Sequence, residues 1–188
     1  RKIGLRFDLT VGMARMVANS NEAKPIRLAC ISNMWRYDNP QYARYRSFYQ
    51  WDAEIYGATG AEADAEIIAL TSDILRSFNL DFIIKINNRK LVEGFLLGTG
   101  VKKKDLVPVM RVLDKRAKLS ANEFKSELKK FNVDAAKVDE FCESDSKKLE
   151  KFSTNELATS GLSELKELFA LLDAYGISYQ FDPSIVRG

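Results

Sequence analysis

The stretch from Met34 to Gly57, MWRYDNPQYARYRSFYQWDAEIYG, constrains this chain more than any other. It reads as two antiparallel strands joined by a charged loop. The first arm ends Trp35-Arg36-Tyr37-Asp38. The loop carries Asn39, Pro40, Gln41, Tyr42 and Ala43, and the second arm runs from Arg44 to Tyr56. Strand side chains alternate between faces. One face of the second arm therefore holds Arg44, Arg46, Phe48, Gln50, Asp52 and Glu54. The other holds Tyr45, Ser47, Tyr49, Trp51, Ala53 and Ile55, a largely aromatic set expected against a core. The charged face must meet water or line a polar site, because burying each charge unpaired costs on the order of several kcal/mol. Antiparallel sheets often keep one face solvated. Two features favour a site instead. Phe48 has little use on a solvated face, and the charges are sorted, with arginines at the loop end and carboxylates deeper. A ligand with a phosphate at one end and a cationic group at the other fits that order.

A length of 188 residues suffices for one domain with a sizeable core, or one domain with a small insertion. No run approaches about 18 apolar residues, so no transmembrane helix is expected, and Arg1-Lys2-Ile3-Gly4 leads directly into a motif rather than a signal peptide. Cys30 and Cys142 are far apart, which argues against a disulfide framework and suits a reducing cytosol. The chain has no histidine, which excludes histidine-based triads and the common zinc sites. Net charge is +3, unevenly placed: Gly100 to Lys151 holds 14 Lys/Arg against 10 Asp/Glu, a net of +4, leaving 3 − 4 = −1 for the rest. That excess is too mild to imply nucleic-acid contact by itself.

In order, Ile3 to Phe7 reads as a strand and Thr10 as the N-cap of a helix over VGMARMVANS. Ile26 to Trp35 is strand-like and enters the hairpin. A helix is expected from about Ala61 to Phe78, with Ala65, Ile68, Ile74 and Leu75 at helical spacing. A short strand over 82–86 and a helix over 89–97 follow. After Gly98 the character changes. Lys102 to Lys118 predicts a basic helix, Ser120 to Glu123 is a capping box opening a second helix, and Ala135 to Cys142 a third. Leu162 to Tyr175 is an amphipathic helix with Gly176 at its C-cap, and Ile177 to Phe181 a strand returning to the sheet. The all-helical, lysine-rich segment 99–152 thus interrupts an α/β pattern formed by 1–98 and 153–188.

The pattern Arg-x-Asp, a loop, then Arg-x-Arg-x-Phe-x-Gln-x-x-x-Glu resembles motif 2 of class II aminoacyl-tRNA synthetases, and specifically of histidyl-tRNA synthetases. LRFDLT (Leu5 to Thr10) is similar to the family's substrate-amine loop, in its archaeal and eukaryotic form. FDPSIVRG (Phe181 to Gly188) looks like the lead-in to its histidine-specific signature. The resemblance implies an α+β fold: the antiparallel sheet of the class II synthetase catalytic domain flanked by helices, with a helical insertion domain at 99–152.

It also implies roles. Arg36 would grip the ATP α-phosphate and the substrate carboxylate, which suits an always-charged, bidentate guanidinium; a surface ion pair with Asp38 is the other reading. Arg44 would lie near the ATP phosphates, Asp38 near the adenine, and Phe48 would stack on it, unless it is simple core packing. Asp8, Thr10 and Gln50 would hold the histidine α-amine and Glu54 its imidazole. Asp52 is given no ligand contact and is expected to partner Arg46. Arg187 would face Arg36 across the α-phosphate as the second catalytic arginine, rather than being a solvated terminal charge. Lys102, Lys103, Lys104, Lys115 and Arg116 would meet phosphates of the tRNA(His) acceptor stem, if they do not simply form a solvated face. Tyr42 and Ala43 stand where the family usually has a basic residue and glycine.

The implied activity is histidine–tRNA ligation: ATP activates histidine, and the tRNA 3′ end takes the product. Mg²⁺ is expected to accompany ATP, with no ligand set assigned. A homodimer in the cytoplasm is expected of the full-length protein. Motif 1, motif 3 and the anticodon domain find no counterpart, so the chain reads as a catalytic-domain fragment that is expected to be inactive alone. The competing reading is a synthetase-like regulatory subunit of histidine biosynthesis that senses histidine.

Overall fold

The computed structural model describes residues 3–186. They fall into two compact units, one up to Ile67 and one from Ile68 onward.

The first unit is built on the hairpin. Strand β1 (Ile26–Trp35) pairs antiparallel with β2 (Ser47–Tyr56), from Ile26 opposite Tyr56 to Trp35 opposite Ser47. Arg36 adds one more bond, its N–H donating to the Arg46 carbonyl at 2.9 Å. Beyond it the chain makes a loop closed by Gln41 and Arg44, with Ala43 at φ 60°. Arg44 and Arg46 therefore belong to the loop and its mouth, not to the strand.

Helix α1 (Thr10–Ala18) buries Met13 and Val17. With Leu9 and Met34 these define which face is inside: Leu28, Cys30, Phe48 and Tyr56 pack around Leu9, Met13 and Met34. All the strand members are even-numbered. The expectation that the odd-numbered aromatic face lies against a core is corrected here: Tyr49 is 78% exposed, and Tyr45 and Ile31 are each 70% exposed. The charged face is the covered one. Helix α1 also starts differently. Thr10 is its first residue, and Asp8 supplies the capping oxygen, its Oδ1 accepting the Val11 N–H at 2.9 Å. The segment before it forms no ladder; it is tied to β1 by Trp35 N–H donating to the Arg6 carbonyl at 2.9 Å.

Helix α2 (Ala61–Ser77) starts in this unit, where Glu66 receives both the Nε and Nη2 of Arg27 at 2.5 and 2.7 Å.

In the second unit β3 (Ile84–Ile86) and β4 (Tyr179–Phe181) form a parallel pair. The expectation that the strand around 177–181 rejoins the hairpin sheet is thus corrected: its partner is β3. Helix α3 (Arg89–Gly98) lies against α7 (Glu156–Ala174). Two asparagine caps tie them together. Asn88 Oδ1 accepts from Lys90 and Leu91 at the start of α3 while its Nδ2 donates to Glu164 of α7. Asn155 Oδ1 accepts from Ala158 in α7 while its Nδ2 donates to the Gly94 carbonyl of α3 at 2.7 Å.

Helices α4 (Leu106–Asp114), α5 (Ala121–Lys129) and α6 (Ala135–Cys142) occupy the lysine-rich stretch. The single basic helix expected over 102–118 is broken into two 3₁₀ turns, Lys103–Asp105 and Arg116–Lys118, flanking α4. The capping box at Ser120 and Glu123 is present. Phe141 of α6 stacks on Phe95 of α3 at 4.2 Å between centroids, and Phe152 meets both edge-on. The stretch therefore buries Phe141 and Phe152 together with Phe95 of α3. Cys30 and Cys142 are both free thiols, and burial pushes the Cys142 thiol up to about 12.

Candidate active site on the hairpin

Antiparallel register places Arg36 just past the end of β1, across from the even-numbered side chains of β2. Its Nη2 donates to Gln50 Oε1 at 2.7 Å and its Nε to the Phe7 carbonyl at 3.0 Å. The guanidinium also stands 5.3 Å from the Phe48 ring centroid. One cation is thus aimed by three partners, two on β2 and one in the segment before α1. Arg36 makes no bond to Asp38, which leaves the ion-pair reading without a partner among these contacts.

Gln50 is held from its other side. Its Nε2 donates to Asp52 Oδ1 and Oδ2 at 2.8 and 2.9 Å. The expected Asp52–Arg46 pairing is therefore corrected: Arg46 Nε donates to the Asp38 carbonyl at 3.2 Å and its guanidinium stacks 4.3 Å from the Tyr37 ring. Arg46 sits outside the strand, so same-face spacing does not bring it to Asp52.

Deeper along the face, the Tyr56 hydroxyl donates to the Glu54 carboxylate and lies 3.5 Å from the Thr10 carbonyl. Burial, then the bond to Glu54, push the Tyr56 phenol up to about 12, with Asp8 adding in the same direction. Tyr56 therefore remains a donor at neutral pH, and Glu54 is held as an acceptor. Asp8, Thr10 and Glu54 gather around this tyrosine where α1 crosses the strand.

The predicted residues accordingly form two neighbourhoods on one face. Arg36, Phe48 and Gln50 stand together at the loop end, and Asp8, Thr10 and Glu54 at the acidic end. Gln50 and Glu54 are four residues apart, about 13 Å along an extended strand. Asp38 and Arg44 lie on the exposed loop. Arg187 falls outside the described residues. Two neighbours of these residues were not assigned from sequence: Asp52, placed on the face but given to Arg46, and Tyr56, which lies two residues beyond Glu54, a spacing that puts it on the same face.

In the second unit Lys102, Lys103, Lys104 and Lys115 are exposed. Arg116 differs from them: its Nη2 meets Asp139 at 3.3 Å and Glu143 at 3.0 Å, beside an open hollow of about 550 Å³. Among the described residues no group of three or more His, Cys, Asp or Glu could hold a metal ion, and no helix is long and apolar enough to cross a membrane.

A family model described as histidyl-tRNA synthetase matches residues 1–188. The histidine--tRNA ligase of Thermococcus kodakarensis is 37% identical over 202 residues, covering 100% of this chain and 46% of that protein. That of Pyrococcus abyssi is 38% identical with the same coverage of 100% and 46%. The chain thus spans about half the length of the curated relatives it matches. The crystal structure of histidyl-tRNA synthetase from Nostoc sp. PCC 7120 superposes with a TM-score of 0.85 at 24% identity, over 97% of this chain and 46% of that one. The ATP phosphoribosyl transferase (HisG:HisZ) complex from Thermotoga maritima superposes at 0.71 with 14% identity, over 97% of this chain and 65% of that one. Both structures share the fold.

Proposed function

The chain belongs to the histidyl-tRNA synthetase family, and from that premise we propose that it carries the histidine-activating site of a histidine–tRNA ligase. The observation that carries this reading is the Arg36–Gln50 bond at 2.7 Å, made above the Phe48 ring on the same strand face as Glu54.

In the first step a histidine carboxylate oxygen attacks the α-phosphorus of ATP. The bond from that phosphorus to the bridging oxygen breaks, and pyrophosphate leaves with the electron pair. No side-chain nucleophile is required; the protein's task is to hold two anions together and neutralise the charge that grows on the phosphoryl oxygens. Arg36 is suited to this because its guanidinium is always charged and already oriented. Phe48 offers a ring face to adenine, with Asp38 and Arg44 on the loop beside the nucleotide. Asp8, Thr10 and Gln50 would hold the α-amine. Glu54 would accept from the imidazole, and a site that must hydrogen-bond a polar group rejects analogues lacking it by about 10⁴ to 10⁵. Arg187 would complete the phosphate clamp. In the second step a hydroxyl at the tRNA 3′ end attacks the acyl carbon and AMP departs.

Mg²⁺ would come with ATP, but the described carboxylates do not cluster to hold it, so no residue is assigned to it. Residues 99–152 would act as the insertion domain between the two catalytic segments, with the exposed lysines toward the acceptor stem of tRNA(His). A cytoplasmic homodimer is proposed for the full-length protein. The alternative of a histidine-sensing regulatory subunit has the shared fold in its favour, whereas the relatives above 35% identity bear the ligase name.

The test is exchange of labelled pyrophosphate into ATP by the intact protein. Exchange should require histidine and be lost with other amino acids. Its absence would exclude the ligase reading and leave the sensor.

A further inference from the structure

We propose that Asp52 is a positioning residue of this site: its carboxylate fixes which way the Gln50 amide points, and the amide in turn holds the Arg36 guanidinium where the reacting phosphate must lie. The inference rests on the histidine-activating reading above and assigns a role to a residue that touches no substrate.

Hydrogen-bond polarity sets the orientation of the Gln50 amide. A glutamine amide has an oxygen and a nitrogen of nearly the same size at its tip, so its shape alone does not choose between two orientations. Its neighbours must choose. Arg36 offers donors and no acceptor, and an ionised Asp52 offers acceptors and no donor. The Gln50 amide lies between them, its oxygen 2.7 Å from Arg36 Nη2 and its nitrogen 2.8 and 2.9 Å from the two oxygens of Asp52. Both contacts are half-buried, and both demand the same orientation. The chain then continues from Arg36 Nε to the Phe7 carbonyl at 3.0 Å. Every link runs donor to acceptor without a mismatch.

Among the described residues no other group on the face bonds Asp52. Its cross-strand partner is Cys30 and that of Gln50 is Ser32, neither of them charged. Arg46 is held by the Asp38 carbonyl and the Tyr37 ring. Glu54, two residues on, is engaged by Tyr56. Asp52 therefore serves as the distant counter-charge of Arg36, transmitted through one polarised amide. Remove the carboxylate and the amide can turn, presenting N–H to a guanidinium that cannot accept it. Arg36 then loses one of its two described side-chain hydrogen bonds.

The test is Asp52→Asn in the intact protein, assayed by histidine-dependent pyrophosphate exchange. The substitution preserves size but removes the charge and puts an NH2 donor in place of one of the two oxygens that the Gln50 nitrogen meets. We expect kcat to fall by about tenfold or more and the histidine KM to rise, with the ATP KM and the melting temperature little changed. Asp52→Glu, which keeps the carboxylate, should recover a large part of kcat. A purely structural role would lower the melting temperature and spare the kinetics of the folded fraction. An Asp52→Asn protein with unchanged kcat overturns the proposal. Should that variant fail to fold, the unsubstituted protein still decides: the Gln50 side-chain amide protons should be slow to exchange by NMR and show contacts to Asp52. Fast exchange overturns the proposal. If the unsubstituted protein exchanges no pyrophosphate with histidine, the activating reading itself falls, and this proposal with it.

Discussion

Arg36 and Glu54 sit near opposite ends of one strand face, and their chemistry divides accordingly. On the proposed roles Arg36 would meet charge that grows during the reaction, so Arg36→Ala should lower the activation rate by on the order of 10² or more. Glu54 would meet a group that does not change, so Glu54→Gln should raise the histidine KM while leaving the ATP KM in place. Steady-state kinetics varying each substrate in turn checks both. A Glu54→Gln protein with an altered ATP requirement and normal histidine use would show that the acidic end does not read the side chain. At this scale the sequence singled out Arg36, Phe48 and Gln50, and the structure brings the three side chains together. Asp52 escaped because its partner was sought among cations. The actual partner is a neutral amide whose need for an acceptor arises only once Arg36 has taken its oxygen.

The helices show a different limit. The capping box at Ser120 was legible because both halves of the motif lie within four residues. The start of α7 was not: the helix was expected from Leu162 but begins at Glu156. Gly161 lies within that first stretch, and glycine is a poor helix former in isolation. Tertiary contact explains it. A Cβ on Gly161 would come within 2.4 Å of the Leu91 backbone nitrogen, and one on Gly94 within 2.4 Å of the Ala158 nitrogen. Helices α3 and α7 approach so closely that only hydrogen fits at these two points. Gly94→Ala and Gly161→Ala should each destabilise the protein, by about 1–3 kcal/mol as is usual for overpacking, although alanine is the better helix former. Thermal or chemical unfolding of the two variants checks this. A rise in stability for either would mean that the helices do not meet there.

For the molecule as a whole, the lysines of the second unit carry the remaining prediction. Neutralising Lys102, Lys103 and Lys104 together should weaken tRNA charging and flatten its salt dependence, while leaving histidine-dependent pyrophosphate exchange intact. Charging assays across a range of salt concentrations measure this; an unchanged slope would remove these residues from the tRNA contact. Arg116 is left out of the set because Asp139 and Glu143 already hold it. The sequence alone determined that a charged strand face exists, that Phe48, Gln50, Asp52 and Glu54 alternate onto it, and which family it resembles, because those follow from period-two geometry and from motifs read along the chain. Only the tertiary structure decided that this face, and not its aromatic opposite, is covered, since that depends on where α1 lays Leu9 and Met13. Likewise, only it decided that β4 pairs with β3. Pairing between segments almost a hundred residues apart is set by packing at a distance, which leaves no local trace.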